Sequence, residues 1–91
     1  MTKLVLAQSP LLSVTGGKRQ FTVHGSTVDE VIRSFCDQYS GLSRFIYASD
    51  GHVKQYIQIF VNGQSIRDLQ GMNTPVQAED TVLIMMALAG G

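Results

Sequence analysis

A chain of 91 residues with seven basic and seven acidic side chains has the size of one domain and no net formal charge. Nothing in this balance draws it to nucleic acid or to an anionic membrane, and its size leaves little room for an enzyme cleft. The one cysteine, Cys36, cannot form an internal disulfide, and the apolar run 4–7 is too short for a signal or membrane segment. We therefore expect a non-enzymatic protein of a reducing, cytoplasmic setting, without nucleic-acid or membrane partners.

Two strands are predicted before the first long helical pattern. Residues 3–7 are rich in strand formers, and residues 19–24 alternate apolar with polar side chains, as half-buried strands do. The turn signal at residues 15–17 lies between them. We expect an antiparallel pair joined by more than a minimal hairpin.

One main helix is predicted from residue 28 to residue 39. Its apolar side chains fall on a single stripe, which contains Val28, Val31, Ile32, Phe35, Cys36 and Tyr39. Thr27 and Glu30 have the spacing of a capping box, and Gly41 supplies a stop signal. Asp29 and Arg33 are spaced as an ion pair along the helix.

The second half of the chain predicts a hairpin and a final strand. A short helical turn at 42–47 and a turn at 49–51 come first, followed by an alternating strand at 56–61. Asn62-Gly63 is a strong hairpin signal, so residues 64–67 are predicted as a short return strand. An irregular crossing at 68–78 then leads to the final strand.

This order of elements predicts an α+β domain over residues 1–91: a mixed sheet with one main helix packed on one face. The first and last strands would lie side by side in the middle of the sheet. The last apolar run, 82–88, is followed by Ala89-Gly90-Gly91, so we expect residues 87–91 to form a flexible tail. The carboxylate of Gly91 is then the accessible chemical group that the fold presents.

The whole chain resembles the ThiS/MoaD sulfur carriers, which are ubiquitin-like β-grasp proteins. The resemblance rests on the hairpin at Phe60-Val61-Asn62-Gly63, the turn at Glu79-Asp80-Thr81-Val82 and the ending Ala89-Gly90-Gly91. The length and the insertion at 42–54 are most similar to the branch that serves cysteine biosynthesis. Two departures concern the pathway more than the class: many relatives have glycine where this chain has Glu79 and proline where it has Met86.

The resemblance implies a role for each residue of the tail. Gly91 would be adenylated by an ATP-using enzyme of the ubiquitin-activating type and then converted to a thiocarboxylate. Gly90 and Ala89 would lead it into the activating pocket, where a larger side chain at Gly90 would block entry. No cofactor is expected on the carrier itself. The implied partners are that enzyme, a sulfur-accepting synthase that uses pyridoxal phosphate, and a metalloprotease that releases the product.

Strand alternation predicts a second functional surface on the sheet face away from the helix. If Val82 faces the helix, then Phe60, Leu83 and Met85 face the other way and form an apolar docking surface. Leu88 and Arg67, the latter on the return strand, are assigned to the same surface. The alternative is that residues 42–47 fold over this face and cover part of it.

Other side chains give weaker signals. Cys36 lies on the apolar stripe, which favours a buried structural thiol over a nucleophile. His24, Cys36 and His52 lack the spacing of metal ligands. Three alternative functions stay open: the small subunit of molybdopterin synthase, a protein modifier conjugated through Gly91, and an interaction module whose Gly-Gly ending is incidental.

Overall fold

One mixed sheet organises the computed structural model, which describes residues 1–7 and 11–86. Its strands are β1 (Thr2–Leu6), β2 (Gln20–Val23), β3 (Ile57–Val61), β4 (Gln64–Ser65) and β5 (Thr81–Met86). They lie in the order β2-β1-β5-β3-β4, with β1 and β5 parallel and the other neighbours antiparallel. The predicted central pairing of the first and last strands is confirmed.

Three α-helices accompany the sheet in the described part of the chain: α1 (Leu11–Val14), α2 (Val28–Gln38) and α3 (Ser43–Ile46). The main helix, α2, begins as predicted, because the Thr27 hydroxyl accepts a hydrogen bond from the Glu30 amide at 3.2 Å. The Glu30 carboxylate reaches back one residue further than the capping box requires and accepts from the Ser26 amide at 3.0 Å. The predicted pair between Arg33 and Asp29 is confirmed at 2.9 Å.

The core lies between α2 and one face of the sheet. The buried stripe of α2, namely Val28, Val31, Ile32 and Phe35, packs in one cluster with the inward residues of all the long strands. Phe21 of β2 and Phe35 meet with ring centroids 4.6 Å apart, and Tyr39 packs edge-on against both rings. Burying each large apolar side chain contributes about 1.5–3 kcal/mol, so this layer supplies most of the driving force for folding.

Two local predictions were incomplete or wrong. The sequence predicts no element at residues 11–14, whereas these residues form α1, a single turn too short to show a helical period. The return strand is shorter than the predicted 64–67, because the Ser65 hydroxyl accepts a hydrogen bond from the Arg67 amide at 3.2 Å and starts a 3₁₀ turn at Ile66–Asp68. A second 3₁₀ turn, Gly71–Asn73, lies within the irregular crossing.

Candidate functional site

The final strand, β5, pairs with β1 over residues 81–84 and with β3 over residues 82–86. Leu4 and Leu6 of β1 lie opposite Val82 and Ile84, and Ile57 of β3 lies opposite Met86. The strand that leads to the C-terminal residues is therefore among the most constrained parts of the described chain. Ala89, Gly90 and Gly91, to which the chemical role was assigned, lie outside the described residues, as does Leu88.

A polar bridge fixes where β5 begins. Asn62, at the tip of the β3–β4 hairpin with φ 52°, donates from Nδ2 to Asp80 Oδ1 at 2.9 Å. Its Oδ1 accepts from the Thr81 amide at 3.0 Å, and Asp80 Oδ2 accepts from the Gln77 amide at 2.8 Å. The Asn62 side chain, followed by the Gln77 amide, lowers the pKa of Asp80 below its ordinary value of 3.8. The bridge ties the tip of the hairpin to the start of β5, next to the first β3–β5 pair, Val61 with Val82.

The face of the sheet opposite α2 has the predicted composition. Phe60 lies directly opposite Leu83, and Val5 lies opposite Leu83 on the other side, so three apolar side chains form a row across the centre of the sheet. Phe60, Leu83 and Val5 are half-buried, and Met85 is 37% exposed. We call Val5, Phe60, Leu83 and Met85 the open face. The docking role assigned to it stays a prediction.

The segment that could have covered the open face does not do so. Leu42 and Ile46 are fully buried in the core cluster that contains the inward face of α2. Phe45 and Tyr47 also pack against that cluster. The alternative in which residues 42–47 fold over the other face is therefore wrong, because their apolar side chains extend the main core instead.

Arg67 does not lie on a strand, which corrects its predicted placement. It lies in the 3₁₀ turn that follows β4, and its Nη2 donates to the backbone carbonyl of Gln55 at 3.2 Å. This contact ties the turn to the segment before β3, at the side of the sheet away from β1. Arg67 is therefore separated from the row formed by Val5, Leu83 and Phe60.

Cys36, His24 and His52, the side chains considered as a nucleophile or as metal ligands, do not form a reactive site in the described residues. Cys36 is half-buried, and burial, followed by the nearby Asp37 charge, raises the pKa of its thiol to about 11. His52 contacts Asp50, with Nδ1 and Oδ2 3.3 Å apart, and His24 is exposed. Within residues 1–7 and 11–86, no three His, Cys, Asp or Glu side chains are grouped as a metal site. No helix in that part of the chain is long and apolar enough to cross a membrane.

The bridge from Asn62 to Asp80 is the feature that sequence reasoning missed. The two residues are 18 positions apart, so no local pattern connects them. The only signal was indirect: a hairpin asparagine and an aspartate at the start of the final strand, on two strands predicted to be neighbours.

The chain is similar to known sulfur carriers over nearly its full length. A sequence model of the ThiS family matches residues 12–91. The sulfur carrier protein CysO of Mycobacterium tuberculosis is 33% identical over 79 residues, which cover 85% of this chain and 85% of CysO.

Solved structures give the same picture of the fold. A chain in the crystal structure of the BexX/CysO complex of Amycolatopsis orientalis superposes with a TM-score of 0.87 and 25% identity, covering 100% of both chains. The small archaeal modifier protein 1 of Methanosarcina acetivorans superposes with a TM-score of 0.88 and 26% identity, covering 99% of this chain and 95% of that protein. The expected β-grasp architecture is confirmed.

Proposed function

Because this chain belongs to the ThiS family and is a sulfur carrier of the CysO type, we propose that it carries sulfur on the carboxyl group of Gly91. One observation supports this most directly. The family match extends to residue 91, whereas β5, fixed between two strands, ends at Met86. The sheet therefore supports the chain as far as Met86, five residues before the carboxyl group to which we assign the reaction.

The chemistry needs an activating step, because a carboxylate at neutral pH is a poor electrophile. A Gly91 carboxylate oxygen attacks the α-phosphorus of ATP in a partner enzyme, and pyrophosphate leaves. Hydrosulfide then attacks the carbonyl carbon of the adenylate. AMP leaves, and the product is a thiocarboxylate in which one carboxyl oxygen has been replaced by sulfur. ATP is bound by the partner and not by the carrier.

The identity of the sulfur acceptor is proposed from the resemblance to the sulfur-carrier family and not from the geometry of this chain. A similar chain has been solved in the BexX/CysO complex, which supports the proposal that this carrier also binds a protein partner directly. We propose a synthase that uses pyridoxal phosphate as acceptor, cysteine or a related metabolite as product, and a metalloprotease for release of that product from the tail.

Intact mass spectrometry tests this proposal. The chain is incubated with its adenylating enzyme, ATP and sulfide, and we expect a mass increase equal to the exchange of one oxygen for one sulfur. The increase should be absent when Gly91 is deleted and when Gly90→Val narrows the path into the enzyme. Ala78→Val adds the same side chain at an exposed position and should leave the exchange intact. An unchanged wild-type mass, with an enzyme proven active on another carrier, would rule the proposal out.

A second candidate function is conjugation to proteins through Gly91. It is favoured by the similarity to small archaeal modifier protein 1. In this case the adenylate is attacked by a lysine amine, AMP leaves and an isopeptide bond forms. Slowly migrating conjugates of a tagged chain, lost when Gly91 is deleted, would identify this function, and peptides bearing a Gly-Gly remnant on lysine would locate the targets.

A further inference from the structure

A small apolar cavity lies at the edge of the core, next to two positively charged side chains. Its volume is about 160 Å³, and its apolar lining comes from buried Ile57 and Ile59 and half-buried Val53 and Met72. Lys54 and Arg67 line the same cavity. We call it the Lys54–Arg67 pocket. A cavity of about 150 Å³ in another protein holds benzene, so this one has room for a single aliphatic side chain.

Hydrogen bonds to backbone carbonyls hold both charges at the pocket. Lys54 Nζ donates to the carbonyl of Arg44 at 2.5 Å, and Arg67 Nη2 donates to that of Gln55 at 3.2 Å. An ammonium group has three donors and a guanidinium group five, so each keeps further donors for a ligand.

No carboxylate of the described chain neutralises these charges. The ion pairs within residues 1–7 and 11–86 are Arg33 with Asp29 and His52 with Asp50. Asp68 follows Arg67 in the sequence, yet the two form no ion pair there. The pocket therefore combines an apolar interior with two cationic groups that lack an acidic partner, which complements an acidic segment carrying one aliphatic side chain.

The pocket lies at the end of the sheet where β5 stops. Ile57, which lines it, is directly opposite Met86, the last residue of β5. The five residues after Met86 span at most about 17 Å when fully extended. A protein that reacts with Gly91 must therefore approach this end of the sheet closely.

We propose that the Lys54–Arg67 pocket docks an acidic segment of the adenylating enzyme, with one aliphatic side chain in the cavity and carboxylates against Lys54 and Arg67. This inference rests on the proposed function, since it identifies the partner as the enzyme that activates Gly91. The contact is distinct from the open face, because the pocket is lined by residues on the α2 side of β3. It would orient the carrier while the tail enters the enzyme.

The direct test compares two double charge reversals that change the net charge equally. Lys54→Glu with Arg67→Glu alters the pocket, whereas Lys18→Glu with Arg19→Glu alters the turn before β2, at the opposite edge of the sheet. Binding to the adenylating enzyme is measured by calorimetry without ATP, and the rate of sulfur loading is measured by mass. We expect the pocket variant to raise Kd and KM at least about tenfold with kcat changed less than about twofold, and the control to change each less than about threefold.

The outcomes separate this inference from the proposed function. If the wild-type chain gains sulfur and both double variants weaken binding equally, only bulk charge matters and the pocket has no role. If neither variant changes Kd, the inference is wrong although the carrier function stands. Val53→Phe fills the cavity without changing charge and should raise Kd by about tenfold. An unchanged Kd would show that no aliphatic side chain of the enzyme occupies the cavity. Circular dichroism confirms that each variant is folded.

A second experiment does not depend on any enzyme. A capped peptide with one leucine among aspartates is titrated into the isotope-labelled chain, and amide resonances are followed by NMR. We expect shifts at Val53, Lys54, Arg67 and Gly71, and no shifts with a peptide in which lysines replace the aspartates. Shifts that are absent, or equal with both peptides, would overturn the inference even if the chain never gains sulfur.

Discussion

The two faces of β5 differ in burial although their side chains are equally apolar. Val82 and Ile84 are 0% exposed and pack in the core below α2, whereas Leu83 and Met85, which alternate with them along the strand, lie on the open face. All four side chains are apolar, so composition does not distinguish them. Their difference comes from parity alone, because successive side chains of a strand point to opposite faces. The face toward α2 supplies stability, and the docking role of the open face stays a prediction.

The largest expected effect is on the buried face. Ile84→Ala removes a fully buried side chain from the centre of the core and should lower the free energy of unfolding by about 2–5 kcal/mol. Urea denaturation of the variant and the wild type measures the difference. Met85→Ala is the matched control and should cost less than about 1 kcal/mol. Equal losses for the two variants would show that the faces are not separated as described.

A smaller effect on the free energy of unfolding is expected at the Asn62–Asp80 bridge, which joins the hairpin to the start of β5. Asn62→Gly keeps the positive φ that the hairpin needs but removes both hydrogen bonds across to Asp80 and Thr81. We expect a loss of about 1 kcal/mol in the free energy of unfolding, since each exposed hydrogen bond contributes modestly. Asn62→Ala adds strain at this φ and should cost more. If Asn62→Gly left the free energy of unfolding unchanged, the bridge would not contribute to holding β5 against the hairpin.

The same bridge predicts a pH dependence. The pKa of Asp80 is lower in the folded state than its ordinary value of 3.8, so its contribution to stability is present above that value and is lost as pH falls through the folded pKa. Thermal unfolding of the wild type and Asp80→Asn should therefore differ at pH 6 and converge in strong acid. Glu30 and Asp50, whose pKa values are also lowered, titrate in both proteins and cancel in the comparison. A constant difference at all pH values would contradict this assignment.

The smallest effect on stability is expected on the open face, where the effect on function should be large. Met85→Ser should lower the free energy of unfolding by less than about 1 kcal/mol, because the residue is already 37% exposed. If the open face docks a partner, the same variant should raise KM for sulfur loading by about tenfold. Kinetics and urea denaturation on the same preparation give both values. An unchanged KM for sulfur loading would show that the open face has no role in activation.

Most of the fold could be predicted because its signals are local and periodic. The stripe of α2, the cap at Thr27 and the turn at Asn62-Gly63 each specify their own conformation, and the structure contains all three. Which side chains of β5 face α2 was harder to predict, since an unbroken apolar run has no alternation of apolar and polar residues. It could be inferred only by pairing that run with β3, where Ile57 and Ile59 alternate with polar or half-buried neighbours.

The parts that could not be predicted depend on contacts across the fold. The placement of residues 42–47 in the core was one of two alternatives, because four apolar residues without a period can pack on either face. Arg67 was misplaced since the 3₁₀ turn depends on a hydrogen bond from a single serine hydroxyl. The pocket joins residues 53–54 with residues 66–72, a pairing that no spacing in the sequence indicates.

The parallel pairing of β1 with β5 also has a consequence for how the protein is made. Lys3 lies opposite Thr81, so the central contact of the sheet joins residues almost eighty positions apart. Contacts between residues so far apart in the sequence form slowly, because closing the long loop between the two segments costs conformational entropy. During synthesis β1 can pair only with β2 until Thr81–Met86 have been translated, so the central pairing of the sheet forms last. The sheet is therefore complete only when β5 has been made, so a nascent chain that still lacks Thr81–Met86 lacks the centre of its fold.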